Sequence, residues 1–104
     1  MQIVVLKFGG TSVGTIEKIK NVAKIITEYK RKKYKVIVVS SAMSGVTNDL
    51  ISKSKKISPN FSEPEYDSLV SSGEQIACSL IAGRLIHKGY KSRSWLAWQI
   101  PIFT

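Results

Sequence analysis

Two short apolar runs rich in β-branched residues constrain this chain more than anything else in it. The first extends from Gln2 to Phe8 and closes on Gly9-Gly10; the second, Lys35 to Ser40, repeats the pattern as Val36-Ile37-Val38-Val39. Near-continuous runs of this kind mark strands of a parallel sheet covered on both faces. Between them, after Gly14, the residues Ile16, Ile19, Ala23 and Ile26 recur at steps of three and four, with Glu17, Lys18, Lys20, Asn21 and Lys24 on the other side. That spacing predicts an amphipathic helix ending near Arg31, its start capped by Ser12 or Thr15. Strand, helix and strand with short links make a βαβ unit, which is expected to be right-handed.

Past the second run, Ser41 to Asn48 is a polar loop containing Gly45, and a helix is predicted from Val46 to Lys56. Ile57 to Glu63, with Pro59, Asn60 and Ser62, reads as a loop. A longer helical region begins near Pro64, which suits a first helical turn, with a break or kink expected at Ser71-Ser72-Gly73. Its second half carries Ile76, Ala77, Leu80, Ile81 and Leu85 and stops at Gly89, a good C-terminal cap. Tyr90 to Leu96 reads as a third strand, and Trp95 and Trp98 as core anchors. The apolar, uncharged stretch from Trp98 to Thr104 predicts either tight packing or further chain beyond it.

Composition narrows the function classes. At 104 residues, with 43% hydrophobic and 22% charged content, the chain is one globular domain or part of one. No run is long enough to cross a bilayer, and Met1 to Leu6 lacks a secretory leader, so a cytoplasmic, membrane-free protein is expected. Cys78 is the single cysteine and His87 the single histidine. An internal disulfide and a zinc cluster are therefore excluded, and both residues read as structural. The net charge of +9 sits largely in Lys30 to Lys35 and in Lys53, Lys55 and Lys56. Helix ends favour cations, so these read as solvated faces. A basic nucleic-acid-binding module is the alternative, though no nucleic-acid fold signature accompanies the charge and no nucleic-acid partner is expected.

Three motifs carry chemistry. Lys7-Phe8-Gly9-Gly10 places an ammonium and close-approaching backbone between a strand and a helix N-terminus, where a phosphate fits. It is not the Walker pattern, in which the lysine follows the glycines. Taken alone it is weak evidence, since glycines after a strand usually make just a tight turn. Ser40-Ser41-Ala42-Met43-Ser44-Gly45-Val46-Thr47-Asn48 leaves the second strand at the same sheet edge, so it should lie beside the Lys7 loop. Thr47 or Asn48 could instead simply cap the next helix. Ser71-Ser72-Gly73-Glu74-Gln75 fits the capping-box spacing twice, a strong reason to read Glu74 as only holding a helix start; the alternative, that Glu74 binds a substrate ammonium, is not favoured by spacing alone.

Read in order, these motifs resemble the signatures of the aspartokinases within the amino-acid kinase family. The resemblance covers essentially the whole chain, including Ser94-Trp95-Leu96 and Gln99 to Thr104. One departure is Ala97, where the family pattern has glycine. The resemblance implies an α/β fold, an amino-acid-kinase-like αβα sandwich with a largely parallel sheet, of which residues 1–104 form the N-terminal part only. It further implies phosphoryl transfer from ATP, with Mg2+ bound to the nucleotide, to the β-carboxylate of L-aspartate. Lys7 would stabilise the transferring phosphate, Gly9 and Gly10 would contact phosphate, and Thr11 and Ser12 would line the nucleotide and acceptor site. Ser41, Thr47 and Glu74 would hold aspartate.

A carboxylate acceptor is ionised at neutral pH and needs no general base, which suits a chain without an evident one. The adenine-binding half and the regulatory ACT modules of the family are not in this sequence. The chain is therefore expected to be inactive alone, as a fragment or a noncatalytic remnant, and the full-length family member to be a homo-oligomer.

Overall fold

In the computed structural model, which describes residues 2–95, the order is β1 (Ile3–Phe8), α1 (Ile16–Arg31), β2 (Lys35–Ser40), α2 (Val46–Ile57) and α3 (Glu63–His87). β1 and β2 pair in parallel, with Ile3 opposite Lys35 and Phe8 opposite Ser40. The expected βαβ unit is formed, and α1 runs to Arg31 as its periodicity predicts. Of the two candidate caps for α1 it is Thr15 that serves, its Oγ1 accepting from the Lys18 N–H at 3.1 Å.

The core lies on one side of the sheet. Ile19, Val22, Ala23 and Ile26 of α1 meet Ala77, Ile81 and Leu85 of α3, over Leu6 and Phe8 of β1 and Val36 and Val38 of β2. Val13, in the loop before α1, is fully buried in the same cluster and anchors that loop to it. α2 packs on α3.

Among the described residues only one face of each strand is covered. Burial alternates along each strand, and Ile3, Val5, Ile37 and Val39 are exposed. The described residues thus form a sheet with a single helical layer. The apolar runs do not alternate although the burial does.

Two expectations fail. α3 passes unbroken through Ser71-Ser72-Gly73 for 25 residues. The serine hydroxyls turn back onto the helix, Ser71 Oγ donating to the Ser68 carbonyl at 3.0 Å and Ser72 Oγ to that of Leu69 at 2.6 Å, so they neither cap nor break it. Gly73 stays because a Cβ there would sit 3.1 Å from both Ala42 Cβ and Val46 Cγ1. The third strand is also absent over residues 90–95, which are irregular. Lys91 and Arg93 are exposed and little in this stretch is apolar; the Arg93 guanidinium lies 4.0 Å over the Trp95 ring, and Trp95 is a surface stack rather than a core anchor. Leu96, Ala97, Trp98 and the segment from Gln99 to Thr104 lie outside the described residues.

Both α1 and α3 end in the same way. At α3, Gly89 takes a left-handed φ of 92° while Tyr90 N–H reaches back to the Leu85 carbonyl and Gly89 N–H to that of Ile86. At α1 the same two bonds run from Tyr34 to Tyr29 and from Lys33 to Lys30, but the left-handed residue is Lys33, at φ 66°. A side chain in that region costs about 1 kcal/mol relative to glycine. Lys33→Gly is therefore expected to stabilise the chain by about 1 kcal/mol, read as a rise of about 4–8 °C in the melting temperature. An unchanged or lowered melting temperature would contradict this account of the α1 terminus.

Candidate functional site

The carboxyl ends of both strands open into loops that are tied together. Ser41 N–H donates to the Phe8 carbonyl at 3.0 Å, extending the ladder by one step, and Ser44 N–H donates to the Gly10 carbonyl at 3.2 Å. Within the first loop, Ser12 N–H turns back to the Gly9 carbonyl at 3.0 Å. The contact is close enough that a Cβ on Gly10 would stand 2.9 Å from the backbone oxygen of Ala42. Gly14 is similarly near, its virtual Cβ 3.3 Å from Ser44 Cβ. Gly9, one residue earlier, has no neighbour within 4 Å of a virtual Cβ and faces open space.

The third motif reaches the same place from α3. Gly73 presses against Ala42 and Val46, so Glu74 lies one residue from that contact, and Ser41 and Thr47 flank its two partners in sequence. Burial pushes the Cys78 thiol up; a backbone hydrogen bond at Ser40 opposes the rise, and the Glu74 carboxylate adds a smaller contribution to it. A thiol held up in this way stays protonated at neutral pH, which suits a half-buried structural residue. His87 is exposed in the last turn of α3.

Two alternatives left open by spacing are resolved. Glu74 is mid-helix, so it holds no helix start. The N-cap of α2 is Gly45, at φ 87° and with no side-chain hydrogen bond, so neither Thr47 nor Asn48 is used as a cap. The N-terminus of α2 therefore opens beside the glycine loop without a side chain closing it.

Lys7 is exposed on the uncovered face of the sheet, opposite Val39, at the carboxyl end of β1. Thr11, Ser12, Ser41 and Glu74 are exposed, Gly10 and Thr47 partly buried. As the sequence reading expects, α1 begins at Ile16 with Thr15 as its cap; the N-terminal end of α2 also lies near Gly10, through the Ser44 N–H bond to the Gly10 carbonyl. Ala42, Gly14 and Gly45 were not singled out as site residues. Their roles depend on contacts between loops or on one backbone angle, which residue type alone does not reveal.

The amino acid kinase family model matches residues 2–102. The chain belongs to the amino acid kinase family. It is 47% identical over 104 residues to an aspartokinase of Geobacillus stearothermophilus, covering all of this chain and 26% of that protein. Aspartokinase 2 of Bacillus subtilis is 45% identical over 104 residues, again all of this chain and 26% of the relative. In three dimensions the chain is similar to the crystal structure of aspartate kinase from Synechocystis, with a TM-score of 0.80 and 41% identity over 83% of this chain and 15% of that one. The chain thus spans about a quarter of the length of the curated relatives it matches.

Proposed function

We propose that this chain forms the acceptor and phosphate side of an aspartate kinase, the part of the catalytic domain that carries Lys7 and the aspartate contacts. The observation that carries this reading is the meeting of two loops and a helix: Gly10 against Ala42, and Gly73 of α3 against Ala42 and Val46. It gathers Lys7, Gly9, Gly10, Thr11 and Ser12 with Ser41, Thr47 and Glu74 around the carboxyl edge of one sheet. The chain's relatives are aspartokinases by name, and the reading takes L-aspartate as acceptor and ATP as donor.

In this reading the protein's work is positioning and charge. Lys7 meets the transferring phosphate, whose charge it offsets as two anions approach. The open space at Gly9 and the uncapped N-terminus of α2 offer close backbone approach to anionic oxygens. Ser41 and Thr47 hydroxyls and the Glu74 carboxylate hold the carboxylate and ammonium of aspartate. Magnesium, when bound, neutralises phosphate oxygens. Among the described residues no group of three or more His, Cys, Asp and Glu gathers to hold a metal, and the reading brings the ion in on ATP. No described helix is long and apolar enough to cross a membrane, and the reading places the protein in the cytoplasm.

The test uses a single-chain chimera in which this sequence replaces the matched stretch of the Geobacillus stearothermophilus aspartokinase. The chimera is expected to release ADP from MgATP with L-aspartate and not with glutamate or N-acetylglutamate, while the 104-residue chain alone stays at background. A folded chimera that phosphorylates another acceptor, or none, sinks the aspartate reading. Robust turnover by the isolated chain sinks the claim that it is a part.

A further inference from the structure

The amino edge of the sheet, the end away from the glycine loops, gathers positive charge from two distant parts of the chain. The basic run from Lys30 to Lys33 closes α1, and Lys35 opens β2, where its N–H donates to the Gln2 carbonyl at 2.9 Å. α3 ends at the same place and adds Lys88, Lys91 and Arg93. These residues are all exposed, and together they make up half of the 16 lysines and arginines. Of the 7 acids only Glu28 belongs to this end. The two ion pairs among the described residues, Lys20 with Glu17 and Lys53 with Asp49, involve none of its cations.

The helix dipoles favour cations at both C-termini. They do not account for so many like charges set side by side, which repel one another. Nor do they account for Lys33, which holds a left-handed φ of 66° that glycine takes at less cost, as Gly89 does at the matching position of α3. Taken one segment at a time, the cations are solvated helix ends; the fold joins them around a cavity.

That cavity, of about 380 Å³, lies between α1, β2, α3 and residues 90–95. Lys30, Lys91 and Arg93 line it with Trp95, over a floor that includes Val36 and Leu85, and no described Asp or Glu lines it. Trp95 is 50% exposed, and Arg93 stacks 4.0 Å over its ring. Beside Lys30, Lys32 lies 5.8 Å over the Tyr29 ring, which meets Tyr34 edge-on. Cations interleaved with aromatic rings along a groove suit an unpaired strand of nucleic acid, whose phosphates meet the cations while its bases stack on the rings. An acidic polypeptide would use the charge and leave the rings idle.

We infer that this groove binds single-stranded nucleic acid without sequence preference. The activity is separate from the kinase reading and sits at the opposite edge of the sheet from Lys7, so either can fail without the other.

The test titrates the 104-residue chain into fluorescently labelled oligothymidylate and oligouridylate of about 12 nucleotides and reads anisotropy between about 50 and 200 mM salt. Both strands are expected to bind with a Kd of about 10⁻⁵ M or tighter at the lowest salt, because phosphate contact and stacking do not depend on the sugar. Contact with about three to five phosphates gives log K a slope of about −2 to −3.5 against log salt. Lys30→Gln/Lys91→Gln should weaken binding about tenfold or more and flatten that slope by about 1. Lys55→Gln/Lys56→Gln removes the same charge from the end of α2 and should change neither by much. That end adjoins the start of α3, about 37 Å along this 25-residue helix from Lys88. Trp95→Ala should weaken binding about 5- to 150-fold with the slope unaltered. All five residues are exposed, so the variants should melt as the parent does.

Absence of saturable binding overturns the proposal, as does an equal loss in the two lysine pairs, which would leave net charge as the whole cause. Parental affinity in Trp95→Ala overturns the claim that an unpaired strand is the occupant. Tighter binding of the matching duplex, or of polyglutamate, than of the single strand overturns it too.

Discussion

Replacing Lys7 by alanine in the single-chain chimera is expected to lower kcat for phosphoryl transfer by about 10²–10³ while leaving the fold intact. The size follows from removing one preorganised positive group aimed at charge that develops in the transition state. The fold should not respond, because the side chain is exposed and makes no ion pair among the described residues. The control is Lys35→Ala. Lys35 projects from the same face of the sheet, but it pairs with Ile3 at the opposite end of the ladder. Four residues along a strand separate the two lysines by about 13 Å, beyond a Debye length at physiological salt. Both substitutions remove one charge from one face. If the two lower kcat equally, Lys7 acts only through net charge and its assigned role fails; a loss confined to Lys7→Ala supports it. Aspartate affinity should hardly change, since the acceptor contacts are assigned to Ser41, Thr47 and Glu74.

The fold and the site were legible to different depths for physical reasons. β1, α1 and β2 could be read because periodicity and apolar runs are local signals, and the cap at Gly89 because a left-handed angle favours glycine. The left-handed residue at Lys33 defeats the same logic, since nothing about lysine announces it. The break expected at Ser71-Ser72-Gly73 failed because helix-weak residues were weighed without their neighbours. Gly73 serves close packing on Ala42 and Val46, and the serines bond back to their own helix. The unbroken helix also removes the capping-box reading of Glu74, because no helix starts there. The strand expected over Tyr90 to Leu96 shows the other limit. A strand requires a partner as well as a pattern, and residues 90–95 have no ladder.

The two adjacent glycines of the first motif should separate fold from function. Gly10→Ala puts a methyl group 2.9 Å from the Ala42 carbonyl oxygen, so one loop must move away from the other. Backbone yields less readily than a flexible side chain, and overpacking of this kind costs about 1–3 kcal/mol. The isolated chain should therefore melt about 4 °C lower or more, and the Ser44 N–H to Gly10 carbonyl bond should weaken with it. Gly9→Ala meets nothing within 4 Å, and its backbone is not in the left-handed region, so the isolated chain should melt as the parent does or slightly higher. In the chimera the order reverses for nucleotide handling. If the space at Gly9 is where phosphate approaches, a methyl there opposes binding by a similar 1–3 kcal/mol, about 5- to 150-fold in kcat/KM for MgATP. Melting curves of the chain and steady-state kinetics of the chimera check both halves. A Gly9→Ala chimera with parental kinetics would show that the open space is only solvent. Gly10→Ala melting like the parent would show that the loops are not held together as closely as 2.9 Å implies. A destabilised Gly10→Ala chain beside a stable but impaired Gly9→Ala chimera would assign the second glycine to joining the loops and the first to the nucleotide.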